Sequence, residues 1–188
     1  MIWRGATRAA RGAPLALLAL CCVSVSIPAM AASNPASAGD CAAIRDALRL
    51  AYEADDWPTT ERRAREELER CPDPDAVPVN RAATYRKLLL ALVVQDRHAE
   101  ALKTAEACIA TYYRSPTCHM FRGLELTELH RTDEGRAELI AAINVSREIL
   151  AEKPMPHPNP EYAAWLGEAK SEADDVLNHL RGVVKPAE

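Results

Sequence analysis

Soft metal ligands are the first residues in this chain whose types and spacing invite chemistry. Cys108, Cys118, His119 and His130 fall within one stretch, and Met155 and His157 follow inside a run with four alternating prolines, Pro154 to Pro160. Thioether and imidazole donors of this kind suit copper. The pattern Cys-x9-Cys-His-x10-His matches no compact zinc arrangement, and a disulfide would remove both thiolates. Metal binding therefore stays an alternative, and no metal ligand is assigned. For catalysis the chain would need a nucleophile beside a base, paired carboxylates near glycine-rich turns, or a phosphate loop, and it carries none of these patterns. The adjacent acids Asp55 with Asp56 and Asp174 with Asp175 read as solvated helix ends and faces. No catalytic residue and no cofactor is expected.

Charge patterning offers a second opening. Glu61 to Arg70 reads ERRAREELER, in which Glu61 with Arg65, Arg62 with Glu66, Arg65 with Glu69 and Glu66 with Arg70 stand four apart. A salt-bridged exposed helix face explains such a run, each pair contributing only about 0.3–0.5 kcal/mol.

These residues need elements to hold them. The chain has 188 residues, 48% hydrophobic and 27% charged, with 5% aromatic and Phe121 as its one phenylalanine. That composition favours helices over a β-sandwich rich in aromatic and β-branched residues. Residues 1–31 carry Arg4, Arg8 and Arg11 and no acid, then an apolar run from Leu15 to Ile27, then Ala29-Met30-Ala31. This is the pattern of an export signal with cleavage after Ala31. The apolar run falls short of the roughly 20 residues a spanning helix needs, so no integral membrane segment is expected. Leu20 ahead of Cys21 argues against lipid anchoring. A periplasmic or secreted location follows. Loss of three arginines and no acid takes the formal charge from −4 to −7, the wrong sign for gripping phosphates, so nucleic acid is set aside.

Apolar residues recur at helical spacing from Asp40 onward, as in Ile44, Ala47, Leu48, Ala51 and again Ala64, Leu68, Cys71. Punctuation at Asp56-Trp57-Pro58, Pro72 to Pro78, Asp96-Arg97, Arg114-Ser115-Pro116 and Arg131-Thr132-Asp133 divides the chain. Seven helices are predicted at about 40–55, 58–71, 79–95, 97–113, 116–130, 133–152 and 160–182. Pro58 and Pro116 sit in tolerant first turns, with Ser115 and Thr132 as caps. In domain terms, a flexible N-terminus (32–39) leads into helical repeats (40–152), a proline-rich linker (153–160), a capping helix (161–183) and a tail (184–188).

The segment from Ala82 to Tyr113 resembles the tetratricopeptide repeat. Tyr85, Leu88, Leu89 and Leu92 occupy the first helix, and Ala101, Ala105 and Cys108 the small sites at repeat positions 20, 24 and 27. Thirty-four residues on, Gly123, Leu126, Gly135 and Ala142 fall in register. An earlier unit from Cys41 offers Leu48, Trp57, Thr60, Ala64 and Pro72, with a longer link to Val79. The resemblance implies an all-α, right-handed solenoid of about three hairpins closed by a C-terminal capping helix.

It also implies function. Such arrays bind peptides or protein segments in a concave groove, and the matching positions here are Arg45, Arg49, Tyr52, Arg86, Leu90, Val93, Met120, Leu124 and Thr127. One end is basic and the other apolar. An acidic segment or C-terminal carboxylate beside an apolar anchor is the expected ligand, since guanidinium groups clamp carboxylates and methionine adapts to varied apolar partners. The opposing reading pairs Arg45, Arg49 and Arg86 with neighbouring acids as a solvated face. The alternative class is a structural assembly subunit, and oligomeric state is left open. Four cysteines outside the signal suggest two disulfides in an oxidising compartment, with three connectivities open. Hairpin geometry selects Cys41 with Cys71, at one end of an antiparallel pair, and leaves Cys108 with Cys118.

Overall fold

The computed structural model describes residues 36–71, 79–153, 160–181 and 183. The expected signal at 1–31, the long link after Pro72, the linker carrying Met155 and His157, and the tail at 184–188 lie outside the described residues. Among those described, seven α-helices and no strand occur: α1 Ala38–Glu53, α2 Trp57–Arg70, α3 Val79–Val94, α4 His98–Thr111, α5 Pro116–Glu128, α6 Thr132–Ala151 and α7 Pro160–Leu180. The protein is all-α, and no described helix is long and apolar enough to cross a membrane.

Local chemistry sets the helix ends. α1 starts at Ala38, inside the stretch expected to be flexible, because Ser37 and Asp40 form a capping box in which each side chain accepts the other's backbone N–H. Pro58 and Pro116 do occupy first turns, and Ser115 Oγ accepts from Cys118 N. Thr132 does not cap α6. It lies inside the helix, behind Arg131, whose own N–H is taken by Leu126 O at 2.8 Å.

Three turns repeat one construction. Asp55, Asp96 and His130 hold positive φ of 54°, 56° and 62°. In each case the next residue's N–H reaches back five residues: Asp56 to Ala51 O, Arg97 to Leu92 O and Arg131 to Leu126 O, at 2.9, 3.0 and 2.8 Å. This is the Schellman ending of a helix, with Asp and His taking the left-handed seat usually given to glycine. The turns close α1 onto α2, α3 onto α4 and α5 onto α6.

Each helix packs against its successor, and α5 also packs on α3 and α7, with α7 reaching α3. One core cluster joins Leu48, Ala64, Leu88, Leu89, Leu92, Ala101, Ala105 and Phe121 from α1 to α5. A second joins Leu139 and Ala142 of α6 to Val176 and Leu180 of α7. The small sites seat the crossings. A Cβ added at Gly135 would stand 2.7 Å from Gly123 O and one at Gly123 would stand 2.8 Å from the Leu139 side chain, so α5 and α6 approach almost backbone to backbone. Cys41 is bonded to Cys71 and Cys108 to Cys118, with Cα separations of 5.7 and 6.0 Å. Both bridges follow the hairpin pairing.

Candidate functional site

The residues expected to line a groove divide into three groups. On α1, Arg45 is held by Glu67 of α2, its Nε donating to Oε1 at 2.9 Å, while Thr84 Oγ1 of α3 donates to the other oxygen at 2.9 Å. Glu67 is buried while the Arg45 side chain stays 39% exposed. A buried carboxylate must be paired, and Arg45 and Thr84 satisfy it. Arg49 donates to both oxygens of Glu53, at 3.1 and 3.0 Å, as a solvated pair. Tyr52 meets Trp57 edge to face at 6.0 Å.

On α3, Leu90 and Val93 pack against the main core cluster rather than standing open. Arg86 is exposed and has no carboxylate within ion-pairing distance among the described residues. Beside it, half-buried Lys87 places Nζ 5.9 Å from the centre of the Tyr52 ring. Burial, with the Arg86 charge adding to it, pushes the Lys87 amine below its ordinary pKa, and Glu67 opposes that from a distance.

On α5, Met120 and Leu124 pack against the cluster that Leu139 and Ala142 of α6 form with Val176 and Leu180 of α7, so the apolar end of the expected groove is covered by the chain's own later helices. Thr127 donates its hydroxyl to Gly123 O at 2.9 Å and abuts Gly135, on the α6 side. Arg45 and Arg49 thus pair with acids as the opposing reading expects, and of the three arginines in the set Arg86, beside Lys87, is the one with no carboxylate within ion-pairing distance among the described residues.

Two features were not read from the sequence. Lys87 lies between groove positions 86 and 90 and gave no periodic signal, and Glu67 was hidden inside ERRAREELER. The repeat register contained the clue to Glu67, which occupies position 27, where Cys108 and Ala142 of the later units are likewise buried. Of the charge ladder, Glu61 with Arg65 and Glu66 with Arg70 form at 3.0 and 2.7 Å. Glu66 also takes Arg63, and Glu61 and Arg65 reach across to Arg97 and Glu100 at the start of α4.

The placed soft ligands are already engaged. Cys108 and Cys118 are bonded to each other, and His119 uses both ring nitrogens, on Glu138 at 2.9 Å and Tyr113 O at 3.0 Å. His130 is exposed in its turn. The chain matches no protein-family model and no curated protein.

Proposed function

We propose that this protein is an exported interaction module. In this reading tetratricopeptide-like hairpins stack as a right-handed α-solenoid capped by α7, and the α1–α3 face holds a peptide or protein segment through a carboxylate. Binding is the function, with no catalytic step and no cofactor. The observation that carries it is the pair of adjacent cations Arg86 and Lys87, neither in an ion pair among the described residues, with Lys87 half-buried against Tyr52. A desolvated cation without a counter-ion is costly, and an incoming carboxylate repays that cost through charge-assisted hydrogen bonds. The three equivalent turns and the burial of repeat positions 8, 20 and 27 in all three units support the repeat reading. Two disulfides accord with an oxidising compartment such as the periplasm.

The test is capture from an envelope extract by the wild-type chain beside a variant carrying Arg86→Glu and Lys87→Glu, matched in helicity and melting. Partners held by the wild type and lost by the variant are the expected result. Equal capture moves binding off this face.

The second reading is a structural assembly subunit. It is favoured by Ile140, 42% exposed beside a cavity of about 530 Å³ between α6 and α7 that Ile143, Leu177 and Leu180 also line. A molecular mass that rises with concentration, and stops rising in Ile140→Glu, is its signature.

A further inference from the structure

A cavity of about 300 Å³ opens between the start of α3, the α4–α5 turn and α7. Three aromatic residues, Tyr112, Tyr113 and Trp165, line it together with Ile149 and Glu172. The rings are held from behind. Tyr112 meets Tyr85 edge to face at 6.1 Å, and Trp165 rests on Tyr162 at 5.5 Å. Tyr113 is 73% exposed, a large ring left at the cavity's lip.

Charge at the walls is one-sided. Arg114 is the cation of the lining, yet its guanidinium donates to Glu152 Oε2 at 2.8 Å, and Tyr162 holds the other Glu152 oxygen at 3.0 Å. Glu172 uses Oε1 to accept from Ser115 Oγ at 2.9 Å and from Thr117 N at 3.2 Å, which leaves Oε2 without a hydrogen bond among the described residues. A second cavity of about 250 Å³ adjoins the first at Ala82 and Glu172 and adds Glu168 and Asp175 of α7, facing Arg86 of α3. Three carboxylates thus stand along one face of α7 against a single unpaired guanidinium. The two cavities adjoin at this wall and form a cleft lined by aromatic residues on one side of Glu172 and by acidic residues on the other.

We propose that this cleft binds an organic ammonium: a protonated amine on an aromatic or apolar stem. The stem fits among rings in a volume at the small end of ligand pockets. The cation meets aromatic faces and the free Glu172 oxygen, both of which attract positive charge. An anion of the same shape faces three carboxylates with Arg114 already engaged. A neutral apolar molecule strips water from Glu172 and returns nothing. The amine can be a free small molecule or a lysine side chain of a partner. This site borders the α1–α3 face at Arg86, which lines the acidic cavity as well.

Calorimetric titration of the purified chain tests it with three probes: phenethylammonium, the isosteric anion 3-phenylpropionate, and lysine blocked at both backbone ends. The expected result is that an ammonium probe binds at least about tenfold more tightly than the anion. Glu172→Gln keeps an oxygen for Ser115 and Thr117, and is expected to lose about tenfold for the cation with melting unchanged. Ala169→Trp fills the cavity and abolishes binding. Preference for blocked lysine assigns a partner's side chain, and preference for phenethylammonium assigns a free amine. Equal binding of anion and cation, no heat from either ammonium at millimolar concentration, or full affinity in Glu172→Gln overturns the proposal.

Discussion

Gly135→Ala and Gly167→Ala make the same chemical change with opposite expected outcomes. At Gly135 the added methyl stands 2.7 Å from the backbone oxygen of Gly123 and 3.1 Å from Thr127 N, and closer still to Thr127 Oγ1. Thr127 can rotate only by giving up its hydrogen bond to Gly123 O. The Gly123 carbonyl cannot rotate at all, so α5 and α6 must part by about 0.7 Å to restore ordinary contact. Overpacking of this kind costs about 1–3 kcal/mol, while alanine's helix preference returns about 1 kcal/mol. A net loss of up to about 2 kcal/mol follows, which for a chain of this size lowers Tm by up to about 8 °C. At Gly167 nothing lies within 4 Å of the new methyl, so the helix preference acts alone and raises Tm by about 1–4 °C. Differential scanning calorimetry of both variants decides. Shifts of the same sign refute the close α5–α6 crossing, and with it the packing at the third hairpin.

The two disulfides differ in expected worth. By loop closure, replacing Cys41 and Cys71 by serine costs about 3–4 kcal/mol and replacing Cys108 and Cys118 about 2–3 kcal/mol, which denaturant melts of the two double variants compare directly; the reverse order contradicts the loop-closure account. Stability also depends on pH through His98, whose Nδ1 lies 2.8 Å from the buried Glu125 carboxylate. Hydrogen bonding to Glu125 raises the imidazole above its ordinary pKa, and burial raises Glu125 against the pull of His98. A raised value in both groups means stabilisation that is complete at low pH and lost as pH rises, for the imidazole from about 6.5 upward. Wild type is therefore expected to lose Tm between pH 6 and 8 more steeply than His98→Gln, and parallel profiles refute the coupling.

The helices were legible because their signals are local: apolar spacing, proline in first turns, and serine at the α5 cap. Small residues at repeat positions, Gly123 and Gly135, fell where backbones approach, and the hairpin reading led directly to the cysteine pairs. Tertiary placement was less legible. Met120 and Leu124 match groove positions, yet apolar residues on an inner face serve docking helices as well as a ligand, and the cluster of α6 and α7 takes them. The face of α7 that carries Glu168, Glu172 and Asp175 reads as solvated surface in one dimension and becomes a cleft wall only when α7 comes back to α3. Trp165 lies more than 50 residues beyond the adjacent Tyr112 and Tyr113, and no spacing joins them. Ser37 with Asp40 was a capping box in plain view, in a stretch whose small residues suggested a flexible lead.

Photo-crosslinking in living cells tests the central claim most directly. A benzophenone side chain replaces Arg49 on the α1–α3 face in one variant and exposed Arg136 of α6 in another. The account predicts a discrete crosslinked partner from position 49 that disappears when Arg86→Glu and Lys87→Glu are added, and none from position 136. An adduct from position 136 alone, or one from position 49 that survives the charge reversal, contradicts it.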